Sequence, residues 1–289
     1  MKCPSQVRLI HLYPIRTEDD KIEANRRMNE TLEAMARTLF KSWFVDFDPV
    51  RARAEGRAPA GMDAETAALF PDGFEEQEGQ MVPNGWCIGS FDETIELIGG
   101  GTPKTSVAEY WNGIIPWFSV VDAPINSDVF VIDTEKKITE RGIAESSTRL
   151  LPICTTIITA RGTVGKCALV GIPMAMNQSC YGIRGRDGRG NYFIYFALRD
   201  LVSELQQSTH GSVFDTITRD TFGSVRSIIV PVELTQAFDR KVLPLMGTII
   251  VNLREMKNLV AIRDALLPKL ISGEIRMVGA KKTLGERPE

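Results

Sequence analysis

Four polar loops hold the side chains of this sequence that are best suited to bind a charged ligand. They span residues 99–105, 160–166, 177–179 and 206–212. Glycine lets a backbone approach a ligand closely, and the hydroxyl and cationic side chains beside it donate hydrogen bonds to phosphate. Asn177 and Gln178 are of the types that pair with an adenine edge. Each loop alone could equally be a structural turn, but four together favour a polar, charged ligand.

Motifs of the common nucleotide- and DNA-processing enzymes are missing. Residues 162–167, GTVGKC, place two residues before the Gly-Lys pair where a P-loop needs four, and Cys167 stands where Ser or Thr would bind magnesium. An amine-methyltransferase tetrad (Asn/Asp-Pro-Pro-aromatic) and the hydrolase and kinase signatures are missing too. Pro71-Asp72 is not followed by the Asp/Glu-x-Lys of metal-dependent nucleases. We therefore expect no catalytic site and no cofactor. An enzyme with unfamiliar motifs is an alternative hypothesis.

Charge is distributed unevenly along the chain. The net charge is −3 and the pI about 5.7, which argues weakly against a non-specific nucleic-acid coat. Residues 62–78 contain acidic residues and no Lys or Arg, whereas residues 141–226 are rich in Lys and Arg. A positive face in the second half of the chain is consistent with this distribution.

Cysteine and histidine usage argues against a metal site or a disulfide framework. The five cysteines form no CxxC pair, and only His11 and His210 could join them as ligands. We expect reduced, mostly buried thiols in a cytoplasmic protein. Neither an apolar run of about 18 residues nor a signal-peptide core is seen, so no membrane association is expected.

Two long helices with a heptad-like seam are predicted, one near each end of the chain. The first runs from a cap at Thr17 or Asp19 to about Val45, and Met28, Met35 and Phe40 widen its stripe. Its seam is Ile22, Asn25, Asn29, Leu32, Ala36, Leu39 and Trp43. The second runs from Leu234 to about Ile271, is divided or kinked at Pro244, and ends before Gly273. Its seam is Leu245, Ile249, Asn252, Met256, Leu259, Arg263, Leu266 and Leu270.

The two seams admit two interpretations. The helices pair with each other, antiparallel, as a rod of roughly 40 Å whose asparagines fix the register, or they pack separately on a globular module. Residues for the pairing and for a partner interface are Asn29, Leu32, Leu39, Trp43, Phe44, Asn252, Leu259 and Leu266. Trp43, Phe44 and Phe47 form an aromatic patch that meets either a partner or the core of the module.

The predicted fold class is α+β, with a globular domain of short strands and helices flanked by the two long helices. The predicted segments are an N-terminal segment (1–16), the first helix (17–46), a linker that is mostly loop with one short helix at most (47–85), the globular domain (86–231), the last helix (232–277) and a tail (278–289). Strands are expected at 95–98, 114–121, 129–132, 155–159, 167–170, 180–183 and 225–230, and a helix at 192–207.

These segments resemble the specificity subunits of type I restriction-modification systems. Residues 21–56 (KIEANRRMNETLEAMARTLFKSWFVDFDPVRARAEG) resemble the central conserved region of that family, and residues 262–275 (IRDALLPKLISGEI) its C-terminal conserved region. Residues 99–122, 160–171 and 175–183 look like parts of a target recognition domain. The resemblance covers roughly residues 18–277.

The resemblance implies a non-catalytic subunit that binds double-stranded DNA. Such subunits position methyltransferase subunits, which use S-adenosylmethionine, and nuclease/translocase subunits, which use ATP and magnesium, on a bipartite target. On that basis the candidate DNA-binding residues are Thr102, Lys104, Ser119, Arg161, Thr163, Lys166, Asn177, Gln178, Thr209 and Ser212. Arg184 and Arg186 are further candidates for phosphate contacts.

This chain departs from the family in having one recognition domain where two are expected. It looks like the C-terminal half, either as a fragment or as a half-subunit that pairs with itself or with another half. Self-pairing would favour a palindromic, interrupted target. The alternative function is a coiled-coil scaffold that binds only protein.

Overall fold

The computed structural model describes residues 4–124, 129–208 and 216–272, with side chains over 17–124, 129–206 and 216–272. Its helices are α1 (Pro4–Phe44), α2 (Asp48–Ala54), α3 (Ala64–Ala68), α4 (Glu140–Ala144), α5 (Asn191–Ser208), α6 (Arg219–Ser224) and α7 (Val232–Ser272). Its strands are β1 (Phe74–Gln77), β2 (Gln80–Pro83), β3 (Cys87–Ser90), β4 (Ile95–Gly99), β5 (Trp111–Phe118), β6 (Phe130–Val131), β7 (Lys137–Ile138), β8 (Thr156–Thr159), β9 (Cys167–Val170), β10 (Ala175–Met176), β11 (Cys180–Gly185) and β12 (Arg226–Ile229). The α+β fold class is confirmed.

Both long helices differ in detail from their prediction. Helix α1 already begins at Pro4, so the prediction that Thr17 or Asp19 caps its start is wrong, because both residues lie inside the helix. Helix α7 continues through Pro244, so the prediction that this proline divides it is wrong as well. A proline removes one backbone hydrogen bond, and the buried Val242 and Met246 on either side supply tertiary packing that offsets the loss. Gly273 lies outside the described residues.

Of the described residues, those from Pro4 to Thr31 and from Thr248 to Ser272 form one compact unit, in which the two helices pair antiparallel. The side-chain amide of Asn252 donates to Asn29 Oδ1 over 2.9 Å, and that of Asn25 donates to Glu255 over 2.6 Å. Arg263 donates to Asp19 over 2.9 Å. Partner numbers fall along α7 as they rise along α1, which confirms the antiparallel pairing and the place of the asparagines in the seam.

Residues 32–247 form the second compact unit. Its core includes an aromatic cluster in which Phe40 and Phe44 of α1 contact Phe238 of α7 and Phe193 of α5, with ring centroids 4.9 to 5.7 Å apart. Trp43 packs edge-on against Phe70 at 5.2 Å. Aromatic side chains bury large apolar areas, so this cluster fixes α5 against both long helices within the unit.

The predicted linker contains more regular structure than expected. Residues 48–83 form two short helices and the antiparallel hairpin β1–β2, so the prediction of mostly loop is wrong there. Asp63 accepts from the Thr66 backbone N–H over 2.8 Å and caps α3. Arg53 donates to the backbone carbonyl of Ala67, which satisfies one of the carbonyls at the end of that helix.

Across the described residues, the strands form small sheets. The largest has the order β4-β11-β8-β9-β6, antiparallel except for the pair β9–β6. A second has the order β10-β5-β7, in which β10 and β5 run parallel, and β12 pairs with β3. The bounds of the strands predicted from the sequence lie within three residues of the observed ones, whereas β1, β2, β3, β7 and β10 were not predicted.

Helix α5 is bound to the long helices at its start and in its middle. At its start, Asp239 of α7 accepts from the backbone N–H groups of Tyr192 (3.1 Å) and Phe193 (2.9 Å). Farther along, Arg199 donates to the buried carboxylate of Glu33 on α1 and to Tyr195 Oη, and it stacks on the Tyr195 ring. Because these groups are charged and largely buried, the geometry between α5 and the two helices is specified by hydrogen bonds as well as by packing.

Candidate nucleic-acid interface

The ends of several strands meet at one edge of the five-stranded sheet. In the β4–β11 pair, Gly99 lies opposite Tyr181, and in the β8–β11 pair, Thr159 lies opposite Cys180. Strands β4 and β8 therefore end where β11 begins. Consequently the loops that follow Gly99 and Thr159 leave the sheet on the same side.

The second sheet brings two more loops to the same place. Strands β5 and β10 run parallel and end together at Phe118 and Met176. The Asn177 backbone N–H donates to Phe118 O and the Ala160 N–H donates to Ser179 O, both over 2.8 Å, while the Gly101 N–H donates to Met176 O over 2.9 Å. We call the combined surface of residues 99–102, 119–122, 160–166 and 177–179 the loop edge.

Glycines let the loop after β4 pack closely against the loop that contains Asn177. A Cβ at Gly100 would overlap the carbonyl oxygen of Asn177, so no other residue fits there. Thr102 donates a hydrogen bond to the side-chain carbonyl of Gln178, which joins two predicted contact residues. The loop then turns away, and the Lys104 carbonyl accepts from the indole of Trp111 over 3.3 Å. Lys104 is exposed on the outer side of this loop.

The loop at residues 160–166 is a tight turn that presents two cations. Gly162 and Gly165 have φ of 79° and 87°, a region that favours glycine. The Thr159 hydroxyl accepts from the Lys166 backbone N–H over 3.0 Å and donates to the Thr163 carbonyl, which closes the turn. Arg161 is exposed and Lys166 half-buried. Within the described ranges, neither side chain lies within ion-pair distance of a carboxylate.

A short capped turn, residues 119–122, stands beside that loop. Asp122 accepts from the Ser119 N–H (2.8 Å), the Ser119 hydroxyl (3.0 Å) and the Glu135 N–H (2.7 Å). The Ser119 hydroxyl proton is therefore already used inside the turn. A Cβ at Gly162 would touch Val120 at 4.0 Å, so the turn and the 160–166 loop lie side by side.

Internal hydrogen bonds also restrict the amide of Asn177. Its Oδ1 accepts from the Ser179 backbone N–H over 3.0 Å, and because a backbone N–H is always a donor, this bond identifies the oxygen. The remaining Asn177 NH₂ group is left as a donor. A bidentate adenine contact needs a free acceptor as well as a free donor, so Asn177 is better suited to donate to an acceptor on a base or phosphate.

Other predicted contact residues lie away from the loop edge or outside the described residues. Arg184 lies near the far end of β11 and Arg186 follows that strand, and Arg184 donates to the Thr155 hydroxyl over 3.1 Å. Thr209 and Ser212 lie outside the described residues. On either side of them, Thr216 forms a bridge with Arg161 and the side chain of Gln206 faces Gly165.

The sequence matches a known protein family. The family described as "Type I restriction modification DNA specificity domain" matches residues 83–243, more than half of the chain. The chain belongs to this family. That match spans every loop of the loop edge, together with α5 and the first part of α7.

Among curated relatives, the HindI specificity subunit of Haemophilus influenzae is 30% identical over 89% of this chain and 64% of its own length. The MjaIX specificity subunit of Methanocaldococcus jannaschii is 29% identical over 53% of this chain and 36% of its own length. The chain thus spans less than two thirds of the length of these relatives. A crystal structure of a type I restriction-modification S subunit from M. genitalium superposes with a TM-score of 0.59 at 16% identity, covering 92% of this chain and 61% of that one, which shows a shared fold.

The predicted interface residues of this specificity-domain chain fall into two groups. Asn29 and Asn252 bind each other within the first unit, where Leu259 and Leu266 are half-buried. Trp43 and Phe44 are buried in the aromatic cluster of the second unit, which supports the interpretation that they belong to the core. Leu32 and Leu39 are half-buried on α1.

Sequence reasoning missed three groups that organise this specificity-domain fold: the Glu33–Arg199 pair, Asp239 and the Ser119–Asp122 turn. Only the last has a local signal, since a hydroxyl three residues before an acidic residue is the spacing of a capping box. Burial raises the pKa of Asp239 to about 6, partly offset by its backbone hydrogen bonds. Burial also raises the pKa of the Cys167 and Cys180 thiols to about 12, so both stay protonated and unreactive at neutral pH.

The described residues contain neither a cluster of metal-ligating side chains nor a membrane-spanning helix. No group of three or more His, Cys, Asp or Glu side chains that could hold a metal ion is found among those residues. Over the same part of the chain, no helix combines the length and the apolar character needed to cross a bilayer.

Proposed function

We propose that this chain recognises a DNA target sequence within a type I restriction-modification complex, with the loop edge as its reading surface. The observation that carries the proposal is the convergence of four loops, which brings Arg161, Lys166, Asn177 and Gln178 to one side of the second unit. The family match, which includes DNA specificity in its description, supports the same function.

The loop edge carries the two kinds of side chain that DNA-binding proteins use, one for phosphate contacts and one for base contacts. Cations such as Arg161 and Lys166, which carry no internal ion pair among the described residues, are suited to phosphate. Amides held in place by neighbours, Asn177 by Ser179 and Gln178 by Thr102, are suited to base edges, because a fixed rotamer loses less entropy on binding. Thr163 adds a hydroxyl to this surface, and the exposed Lys104 follows the loop edge in the 99–105 loop, whereas Arg184 and Arg186 are left out.

The chain would act without catalytic chemistry of its own. By analogy with the relatives named as specificity subunits, we infer that it positions methyltransferase subunits and nuclease/translocase subunits on double-stranded DNA in the cytoplasm. The helix pair of α1 and α7 is the surface we assign to those proteins. No cofactor is needed for this role.

A single recognition domain implies half of a bipartite target. We infer that this recognition domain reads one part, and that a second domain reads the other, supplied by the same polypeptide, by a second copy of this chain or by another half-subunit. Two identical halves related by a twofold axis would prefer an interrupted palindrome, whereas a different second half would give an asymmetric target.

The test is selection from a randomised duplex pool by the full chain co-purified with its matching methyltransferase subunit. We expect a short or bipartite consensus, with a binding constant that falls steeply with salt concentration. A stable protein complex that enriches no sequence would contradict the proposal and leave the coiled-coil scaffold as the better function. DNA cleavage or methylation by the chain alone would instead revive the enzyme alternative.

A matched pair of glutamine variants sharpens this test. Gln178→Ala removes an amide from the loop edge, whereas Gln236→Ala removes an exposed amide of α7 whose partner is the Gly188 carbonyl at 2.9 Å. We expect Gln178→Ala to relax one position of the consensus, a discrimination of about 1–3 kcal/mol. The consensus of Gln236→Ala should equal that of the unchanged chain; equal consensus sequences for all three proteins would remove Gln178 from the reading surface.

A further inference from the structure

One apolar side chain stands exposed in the middle of the loop edge. Val121 is 71% exposed, although it lies between the half-buried Val120 and Asp122 and near the cationic 160–166 loop. Single exposed apolar residues are common on protein surfaces, so exposure alone says little. The groups around Val121 indicate which kind of ligand surface it is suited to contact.

The turn that carries Val121 is held by three hydrogen bonds to one carboxylate. Asp122 accepts from the N–H and hydroxyl of Ser119 and from the backbone N–H of Glu135, which lies 13 residues farther along the chain. The turn is therefore tied to the module at its base as well as closed on itself. Such bonds hold the backbone of Val121 in place and leave its two methyl groups facing solvent.

Two residues near Val121 in the loop edge, Asn177 and Arg161, have side chains that donate hydrogen bonds, and the adjacent Asp122 carboxylate is already bound within the turn. The Asn177 backbone N–H donates to the carbonyl oxygen of Phe118, the residue before the turn, over 2.8 Å. The Asn177 side-chain NH₂ group, which has no hydrogen-bond partner among the described residues, is a donor. Arg161 follows in the loop that contacts Val120. In the major groove, thymine is the base that shows both a methyl group and a carbonyl acceptor. The apolar side chain of Val121 beside these hydrogen-bond donors is complementary to that pattern.

We propose that Val121 reads thymine by packing its side chain against the 5-methyl group of that base in the target. This inference rests on the proposed function, because it assumes that the loop edge enters the major groove. It adds a specificity-determining residue that contacts the base through apolar surface, and it assigns thymine to at least one position of the recognised half-site.

The experiment replaces the thymines of the selected consensus with uracil, one at a time, and measures the binding constant of the full chain with its methyltransferase subunit. Uracil keeps the carbonyl acceptor and loses only the methyl group. We expect uracil at one position to weaken binding about three- to fivefold, the effect of one buried methyl. For Val121→Ala this uracil effect should be lost, whereas Ile114→Ala, which alters an 86% exposed side chain of β5, should keep it.

Each other outcome counts against the proposal in a distinct way. A consensus without thymine, or one whose thymines all tolerate uracil, would overturn the role of Val121 while leaving DNA recognition intact. Loss of the methyltransferase complex in Val121→Ala, with unchanged DNA affinity, would assign the residue to a protein contact instead. Failure to obtain any consensus would overturn the proposed function and this inference together.

Discussion

The same two helices pack in two different ways along their lengths. In the first unit, Asn25, Asn29 and Asn252 lie in the seam between α1 and α7 and bind polar partners. In the second unit, Phe40 and Phe44 of α1 meet Phe238 of α7 in a dense aromatic cluster. Apolar contacts supply most of the stability of a fold, whereas polar seam residues cost stability and specify register. The apolar contacts of the second unit therefore stabilise the recognition domain, whereas the polar contacts of the first unit specify how α1 and α7 pair.

The largest effect should come from the aromatic cluster. Phe238 is fully buried and contacts the rings of Phe40, Trp43, Phe44 and Phe196. Phe238→Ala should lower the free energy of unfolding by about 3–5 kcal/mol, because it removes buried surface and leaves a cavity. Urea unfolding followed by tryptophan fluorescence measures this change. A loss below about 1 kcal/mol would show that the cluster is not the main source of stability in this unit.

A smaller and pH-dependent effect is expected at Asp239, the one acidic group of the described part of α7 that caps α5. Burial raises its pKa to about 6 in the folded chain, above the ordinary value near 3.9. The protonated form is thus favoured in the folded state, so its stabilising effect is present below pH 4 and is lost as the pH rises through 6. Between pH 4.5 and 7.5, the unfolding free energy should fall by about 2 kcal/mol more in the unchanged chain than in Asp239→Asn.

Other groups titrate over the same range, but they do so equally in both proteins. The difference between the two stability curves therefore isolates Asp239. Parallel curves from pH 4.5 to 7.5 would contradict the raised pKa and would mean that the carboxylate stays ionised against the N–H groups of Tyr192 and Phe193.

The smallest effect, and one of opposite sign, is expected in the polar seam. Asn29 Nδ2 is buried without a hydrogen-bond partner among the described residues, although its oxygen binds Asn252. Replacing both residues together by leucine removes this unsatisfied group and should stabilise the helix pair by about 1 kcal/mol. Thermal unfolding measures the gain, with Met28→Leu as a control because Met28 is 52% exposed on the same helix. Destabilisation by the double substitution would show that the asparagines also contribute to stability.

Much of this architecture follows from local patterns. The three-and-four spacing of Ile22, Asn25 and Asn29 predicted their buried positions, and the apolar runs of β8, β9 and β11 predicted strands. The prediction that Met28 and Met35 widen the buried face of α1 was wrong, because both are exposed. Glu33 is buried instead, because Arg199 of α5 pairs with it. That partner is 166 residues away, so helix periodicity gives no sign of it.

Three of the four loops of the loop edge were predictable from the sequence, but the 119–122 turn and the assembly of the four loops were not. Glycines and polar side chains identified the loops at 99–105, 160–166 and 177–179 from the sequence. Their convergence depends on β11 pairing with both β4 and β8, and on the parallel pair β5–β10, which are non-local choices of register. The β1–β2 hairpin was missed for a different reason, because its acidic strand FEEQ has low strand propensity.

The measurement that tests the central claim most directly compares the salt dependence of DNA binding for two arginine variants. Arg161→Gln changes the loop edge, and Arg186→Gln changes an equally exposed cation beyond the far end of β11. Both remove one charge, so their effect on the net charge of the chain is the same. If the loop edge contacts the DNA backbone, Arg161→Gln weakens binding to all sequences alike and lowers the log–log salt slope by about one, whereas Arg186→Gln leaves both unchanged. Equal slopes for the two variants, or a larger change for Arg186→Gln, would contradict the assignment of the loop edge as the DNA-reading surface.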